Sequence, residues 1–393
     1  MTASTSPIHD GLASLSPDLV TRLTDPYVLA DRQRRADRIL MAEGAGHLVH
    51  DLPLRTDGRV ASIESRPWRI DPIPLVIDAA TFRWLSLAVS ERMEALDAVV
   101  ADLYGDARVV RDGAVPAGAL ASTDRFRIND IGSKPRRCLT MYAVDLVQDA
   151  AGTWHVVADL TGAPSGLGYA MLGRSVMSRT LPDVLGAADV ASLARFPTIV
   201  RTALAANSTE ASPRTVVFSS GLDDATYVDH SYLAVQLGVN LVEGPDLVVR
   251  QRRLWLRTLD GLEPVDVLYR RVDDPMVDPL EVAARGAVGV PGLLQAVRAG
   301  NLAIANAHGA GVAEADELAP YLAGAMADLR PMEQALADLP RNVGDLMTYP
   351  TYGLEGPGSA AVVVRMFAVS DGSNVSVLPG GVGRILAPGD DPR

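Results

Sequence analysis

Apolar positions recur at three-to-four spacing over 78–104, where Phe82, Leu85, Ala88, Val89, Met93, Leu96, Val99, Val100 and Leu103 form one stripe. That period predicts an amphipathic helix, with Asp78 as its N-cap and Gly105 as its stop. Beyond it the pattern changes. Residues 141–147 and 154–159 are β-rich runs joined by the polar, glycine-containing stretch 148–153, which predicts a hairpin. The loop Pro164-Ser165-Gly166-Leu167-Gly168-Tyr169 follows, then a helical stretch around 183–206. From 214 onward strands and helices alternate: strand 214–218, small-residue loop 219–224, a helix from about 225; strand 240–242, a hairpin through Gln251-Arg252 and strand 264–270; helix 292–298, strand 302–305 and the turn 306–311. This order predicts a mixed sheet flanked by helices, with ligand loops at the carboxyl ends of its strands. Near the end, 362–369 and 374–378 flank an Asp371-Gly372 turn and read as a hairpin, closed by the glycine-rich 379–384. Residues 1–60 mix Pro, Asp, Arg and small residues and read as an N-terminal extension, its first dozen residues disordered.

Composition narrows the function classes. With 393 residues and 48% hydrophobic side chains the chain buries a sizeable core. Its formal charge of −12 argues against nucleic acid or an anionic membrane as a partner, since both reward a basic surface. One cysteine, Cys138, excludes an internal disulfide framework and points to a reducing cytoplasm. No apolar run reaches membrane-spanning length, and the N-terminal segment lacks the basic-then-apolar order of a secretion signal. Of the 36 basic residues only Lys134 is a lysine.

The densest chemistry lies in 269–279. There Arg270 and Arg271 precede Asp273, Asp274 and Asp278, directly after an apolar strand. The group reads either as guanidinium forks for an anionic substrate beside carboxylates for a cation, or as an ion-pair network pinning a loop. Asp145 and Asp159, on consecutive predicted strands, either share one face of the hairpin and hold Mg²⁺ or are solvated strand charges. Gly309-Ala310-Gly311 is either a phosphate cradle or a plain turn. His230 and His308 lack zinc spacing and read as cap or loop histidines.

The order of motifs adds a resemblance. Leu103-Tyr104-Gly105-Asp106, Asp145-Leu146-Val147-Gln148-Asp149, Asp159 with Pro164-Ser165-Gly166, Tyr227-Val228-Asp229-His230, Leu241-Val242-Glu243-Gly244-Pro245-Asp246, Tyr269-Arg270-Arg271-Val272-Asp273-Asp274 with Asp278-Pro279, and Asn306-Ala307-His308-Gly309-Ala310-Gly311 closely resemble the circularly permuted ATP-grasp proteins similar to glutathionylspermidine synthetase. The resemblance runs from about 65 to 325 and resumes at Arg365-Met366-Phe367 and at 379–384. It implies an α/β fold of mixed α+β type and, after the extension 1–60, one permuted domain over 61–393. Within it, 61–210 would hold the first sheet with Asp145 and Asp159, 211–326 an α/β region that precedes the ATP-grasp part, and 327–393 a truncated end.

For an intact member the resemblance also implies ATP and Mg²⁺ as cofactors and ligation of a carboxylate to an amine through an acyl phosphate. By position, Asp145 and Asp159 would face the metal and Arg270, Arg271, Asp273 and Asp274 would do the chemistry. Ser165, Gly166, Tyr227, His230, Glu243, Asp278 and Asn306 would line a small-molecule or peptide substrate, while Gly309, Gly311, Arg365 and Arg384 would meet the nucleotide. The departures cluster at the nucleotide. Where the family carries an amide and then a guanidinium, this chain has Leu160 and Gly162. No lysine follows the Gly309–Gly311 turn, and most of the lid is expected to be missing between about 346 and 361. The expectation is therefore a degenerate binding or regulatory subunit, beside an intact ATP-grasp paralogue, with an active ligase completed by a partner chain as the alternative.

Overall fold

The computed structural model describes residues 25–49, 64–132, 135–222, 224–281, 288–330, 332–334, 336–338, 348–351 and 358–386, together with Leu19, Thr21, Leu23 and Leu346. The expected disorder of the first dozen residues, Lys134 and the core of the expected lid deletion (352–357) lie outside them. The longer helices are α1 (Pro26–Ala42), α2 (Ala79–Tyr104), α3 (Leu167–Thr180), α4 (Phe196–Ala205), α5 (Tyr227–Leu237) and α6 (Ala319–Leu329). The strands that frame the site are β1 (Met141–Gln148), β2 (Trp154–Leu160), β3 (Thr215–Phe218), β4 (Asn240–Val242), β5 (Val267–Arg270), β6 (Ala303–Ala305), β7 (Gly358–Ser370) and β8 (Val375–Ile385).

A mostly antiparallel sheet runs β2–β1–β7–β8, widened by Ala337–Asp338 beside β2 and Thr348–Thr351 beside the start of β7. All eight residues of β1 are buried because both faces of this sheet are covered. Side chains alternate along a strand, so Tyr142, Val144 and Leu146 point with Val364 and Met366 to one face, where α2 presents Leu85, Val89, Met93 and Leu96. Asp78 caps α2 by accepting the Ala80 and Thr81 N–H groups, as its position before the apolar stripe predicts. Met141, Ala143, Phe367 and Val369 point to the other face and join α3, α4 and α5 in a second core.

That second core ties the antiparallel sheet to a parallel one of order β6–β5–β3–β4. A third core behind it, with Val216, Phe218 and Leu268 against Leu254, Leu256 and Leu294, is closed by a three-stranded meander over 247–265 and the short helix Leu293–Arg298. Gln251 and Arg252 turn the first meander hairpin with φ of 52° and 58°. The carboxyl ends of β3 and β5 deliver Ser219 and Arg271 to one edge, the edge where α/β sheets bind ligands.

Within the segment 1–60, Asp25 caps α1, which packs Ala36 and Leu40 against Leu172 and Val176 of α3. Three local expectations need correction. The stretch 183–206 is two helices, Pro182–Ala187 and α4, parted where Asp189 takes a left-handed conformation and Pro197 starts the second. The run 264–270 belongs to two sheets, divided at Asp266, whose carboxylate accepts the Arg214 N–H. The second hairpin strand does not stop at 378 but runs through the glycine-rich 379–384 as part of β8: a side chain at Gly381 would come within 2.4 Å of the Arg365 carbonyl oxygen, so glycine is what lets the strands pass this closely.

Candidate functional site

Asp145 and Asp159 do not meet. Across the β1–β2 ladder Asp145 stands opposite Ala158 while Asp159 stands opposite Val144, so the two carboxylates leave opposite faces of the sheet. Each is held by a guanidinium. Asp145, 4% exposed, accepts Nε and Nη2 of Arg365 at 2.7 and 2.8 Å from the neighbouring β7. Asp159 accepts Nε and Nη2 of Arg92 on α2 at 2.8 and 2.7 Å and the Tyr142 hydroxyl at 2.5 Å. The expected shared Mg²⁺ position is therefore corrected. On the Asp145 face the neighbouring strand offers only Ala158 and Leu160, whose side chain packs into the second core. Among the described residues no cluster of three His, Cys, Asp or Glu forms a metal-binding set. The residues present do not fit a magnesium ion held between these strands.

Above the Asp145–Arg365 pair lies a pocket of about 230 Å³, also lined by Trp68, Ser165, Gly166, Tyr169, Thr226 and Arg384. Ser165 and Gly166 belong to the loop that carries the chain from β2 into α3, with Gly166 at φ 104°. Arg365 reaches this loop by donating to the Ser165 carbonyl and hydroxyl oxygens at 3.1 and 3.2 Å. A helix N-terminus commonly holds a ligand anion, yet here the protein supplies its own: the Asp229 carboxylate accepts the N–H groups of Gly166, Gly168 and Tyr169 at 2.9, 2.6 and 3.1 Å. Gly168 is required for this approach, since a Cβ there would lie 2.3 Å from the Asp229 carbonyl oxygen. Tyr169 packs its ring 4.8 Å from that of Trp68, and its buried hydroxyl has no hydrogen-bond partner among the described residues. Burial pushes the pKa of that hydroxyl well up, reinforced by Asp229 and Asp224.

Beneath the pocket the charges of 269–279 form the buried ion-pair network that was one of the two sequence readings. Arg271 pairs with Asp229 at 3.0 Å, both side chains wholly buried. Arg270 is equally buried and donates to the carbonyl oxygens of Val272, Asn306 and Ala307 while pairing with Asp274 at 2.8 Å. Asp274 also accepts the Gly309 N–H, at 3.1 Å. The Gly309–Gly311 turn is thus buried, with its leading N–H satisfied and Gly309 pressed against Tyr104, rather than open to a phosphate. Asp273 is exposed. Asp278 accepts the N–H groups of Leu280, Gly292 and Leu294 and pins its loop to the start of the short helix. Asn306 straps three elements, accepting the Thr140 and Met141 N–H groups and donating to the Met141 and Thr161 carbonyls. Tyr227, half-buried at the start of α5, and Glu243, which forms a capping box with Asp246, do not line the pocket.

His230 links the pocket wall to the strand edge. Thr226 donates its hydroxyl to Asp224 at 2.6 Å, so the His230 Nε2–H donates to Thr226 at 3.0 Å and Nδ1 accepts the Ser219 hydroxyl at 2.9 Å. Ser219 is fully buried, which removes a Ser–His nucleophile from the candidate chemistry. Burial, with the Arg271 guanidinium adding to it, lowers the His230 pKa from 6.5 to about 4. The native imidazole is neutral where the unfolded one takes up a proton, so its contribution is complete above pH 6.5 and is lost as pH falls toward 4. That loss amounts to about 3 kcal/mol of unfolding free energy. His230→Gln is expected to flatten the fall between pH 7 and 4.5 in urea titrations; an unchanged slope would contradict this assignment.

Sequence reasoning missed Arg92, Asp229, Tyr169, Trp68 and Thr226. Arg92 falls inside the apolar stripe of α2, three residues after Val89, and a guanidinium on a buried face is itself a signal of a buried carboxylate partner. Asp229 stood within a motif already singled out, though nothing local marks it as a cap for a helix sixty residues earlier.

Taken together, an antiparallel sheet laid over a parallel one, with its loops gathered at the Asp145 edge, defines an ATP-grasp-like α/β protein. The sequence profile described as circularly permuted ATP-grasp type 2 matches residues 74–344, and the chain belongs to that family. It is 31% identical over 388 residues to the uncharacterized protein Rv2411c of Mycobacterium tuberculosis, an alignment covering 82% of this chain and 70% of the relative. It is 37% identical over 279 residues to the uncharacterized protein sll0335 of a Synechocystis species, covering 70% of this chain and 58% of that one. A glutathione synthetase-like effector from Globodera pallida, solved in its apo form, shares the fold with a TM-score of 0.53 at 13% identity, over 92% of this chain and 95% of the effector. Among the described residues no helix is long and apolar enough to cross a membrane.

Proposed function

We propose that this ATP-grasp family member is catalytically degenerate and serves as a binding or regulatory subunit through its surviving substrate-side loops. One observation carries the reading: the carboxylates expected to hold Mg²⁺ leave opposite faces of the sheet, each in a bidentate pair with arginine. Recruiting Asp145 to a metal would break this part-buried pair and leave Arg365 with the neutral Ser165 oxygens in place of its counter-charge. Ala158 and Leu160 add no oxygen on that face. The pocket of about 230 Å³ also falls short of the roughly 300–1,000 Å³ usual for small-molecule sites, which suits a small ligand better than a triphosphate.

Isothermal titration with Mg-ATP, paired with a phosphate-release assay, tests this. The expected result is no saturable binding in the micromolar range and no hydrolysis above buffer. Low-micromolar affinity or sustained turnover would instead favour an active carboxylate–amine ligase. Amide product appearing only on mixing with an intact ATP-grasp paralogue would point to a ligase completed by a partner chain.

A further inference from the structure

A second and larger cavity, of about 520 Å³, opens as a groove between α3 and α5 and shares no lining residue with the Asp145–Arg365 pocket. Its volume falls within the usual range for small-molecule sites. Two guanidinium groups and one carboxylate face it: Arg174, Arg179 and Glu43. Glu43 is committed to Arg179 at 3.4 Å. Arg174 donates only to neutral carbonyl oxygens, those of Ala191 at 2.8 Å and Pro379 at 3.2 Å, and no acidic side chain among the described residues pairs with it. A partly buried cation without a counter-ion is unfavourable, and burial lowers its pKa accordingly. An anion in the groove would restore the balance.

The rest of the lining suits such a guest. The Ser192 hydroxyl accepts the Ala194 N–H at 3.2 Å, which leaves its own hydrogen to donate into the groove. Leu193 and Pro197 give an apolar side, and Val235 stands at the mouth with 75% of its surface exposed. We infer that this groove is a binding site for a small organic anion, whose carboxylate or phosphate lies on Arg174 and whose short apolar body lies against Leu193, Pro197 and Val235. The site is independent of whether the family's ligase chemistry survives.

Titration calorimetry with inorganic phosphate and, separately, butyrate, each against sodium chloride at matched ionic strength, provides the test. The wild-type protein is expected to bind at least one probe saturably, phosphate alone assigning a phosphoryl group and butyrate alone a carboxylate. Arg174→Gln should weaken binding at least roughly tenfold, the scale of one charge-assisted hydrogen bond. Ala194→Asp places a like charge at the rim without touching the Arg174 contacts and should weaken it similarly; since Ala194 is exposed, this variant carries the test if Arg174→Gln fails to fold. Arg257→Gln, on the exposed side of the meander, should change nothing. The inference is overturned if neither probe binds saturably, or if Ala194→Asp binds as the wild type does.

Discussion

Arg271→Met is expected to destabilise the protein by about 3–5 kcal/mol, the cost of leaving one member of a buried ion pair alone. Arg271 and Asp229 are both wholly buried, and Asp229 is also the anion on which the start of α3 is built. Without the guanidinium that carboxylate keeps its three N–H donors but loses its counter-charge in a place water does not reach. Arg271 further donates to the Tyr269 hydroxyl at 3.2 Å and lies 5.3 Å from that ring's centre, so packing is lost as well. Urea denaturation followed by circular dichroism measures the loss. The double variant Arg271→Met with Asp229→Asn is expected to recover part of it, because the amide removes the stranded charge. A single variant within 1 kcal/mol of wild type would show that the pair is not holding the loop.

Asn306→Ala is expected to cost a similar amount, about 3–5 kcal/mol, through unsatisfied backbone groups rather than charge. The carboxamide meets the N–H groups of Thr140 and Met141 and the carbonyls of Met141 and Thr161, all buried, and each group left without a partner costs about 1–3 kcal/mol. Asn306→Asp isolates the donor side. It keeps an oxygen for the two N–H groups but turns the other toward two carbonyl oxygens, so it should be at least as damaging as alanine. Thermal denaturation reads the overall effect, and faster amide exchange at Thr140 and Met141 locates it. Retained exchange protection at both amides in Asn306→Ala would contradict the strap.

The elements that were legible in the sequence are those whose signals are local. The α2 stripe with Asp78 and Gly105, the β1–β2 hairpin and the alternation over 214–326 each follow from the periodicity and turn chemistry of contiguous residues. The site was legible only in part, because its decisive feature is a register. Whether Asp145 shares a face with Asp159 or with Ala158 and Leu160 depends on a single-residue offset in cross-strand pairing, and the ladder shifts once more between Asp145 and Leu146. Composition and spacing carry no record of that offset. Nor do they pair Asp145 with Arg365 or Asp159 with Arg92, contacts 220 and 67 residues apart along the chain. The charged run 269–279 illustrates the same limit: it offered a substrate site and a structural network on equal terms, and only the burial of Arg270, Arg271 and Asp278 separates them.

In the structure the Asp145 carboxylate is occupied by Arg365, and the proposed degeneracy rests on its staying so when nucleotide and metal are supplied. A crystal of the protein soaked with ATP and Mn²⁺ and measured at the manganese edge tests it most directly. The expected result is no anomalous peak within coordinating distance of Asp145 and an intact bidentate pair with Arg365. A manganese peak on the Asp145 oxygens, with Arg365 swung away and phosphate density beside it, would contradict it.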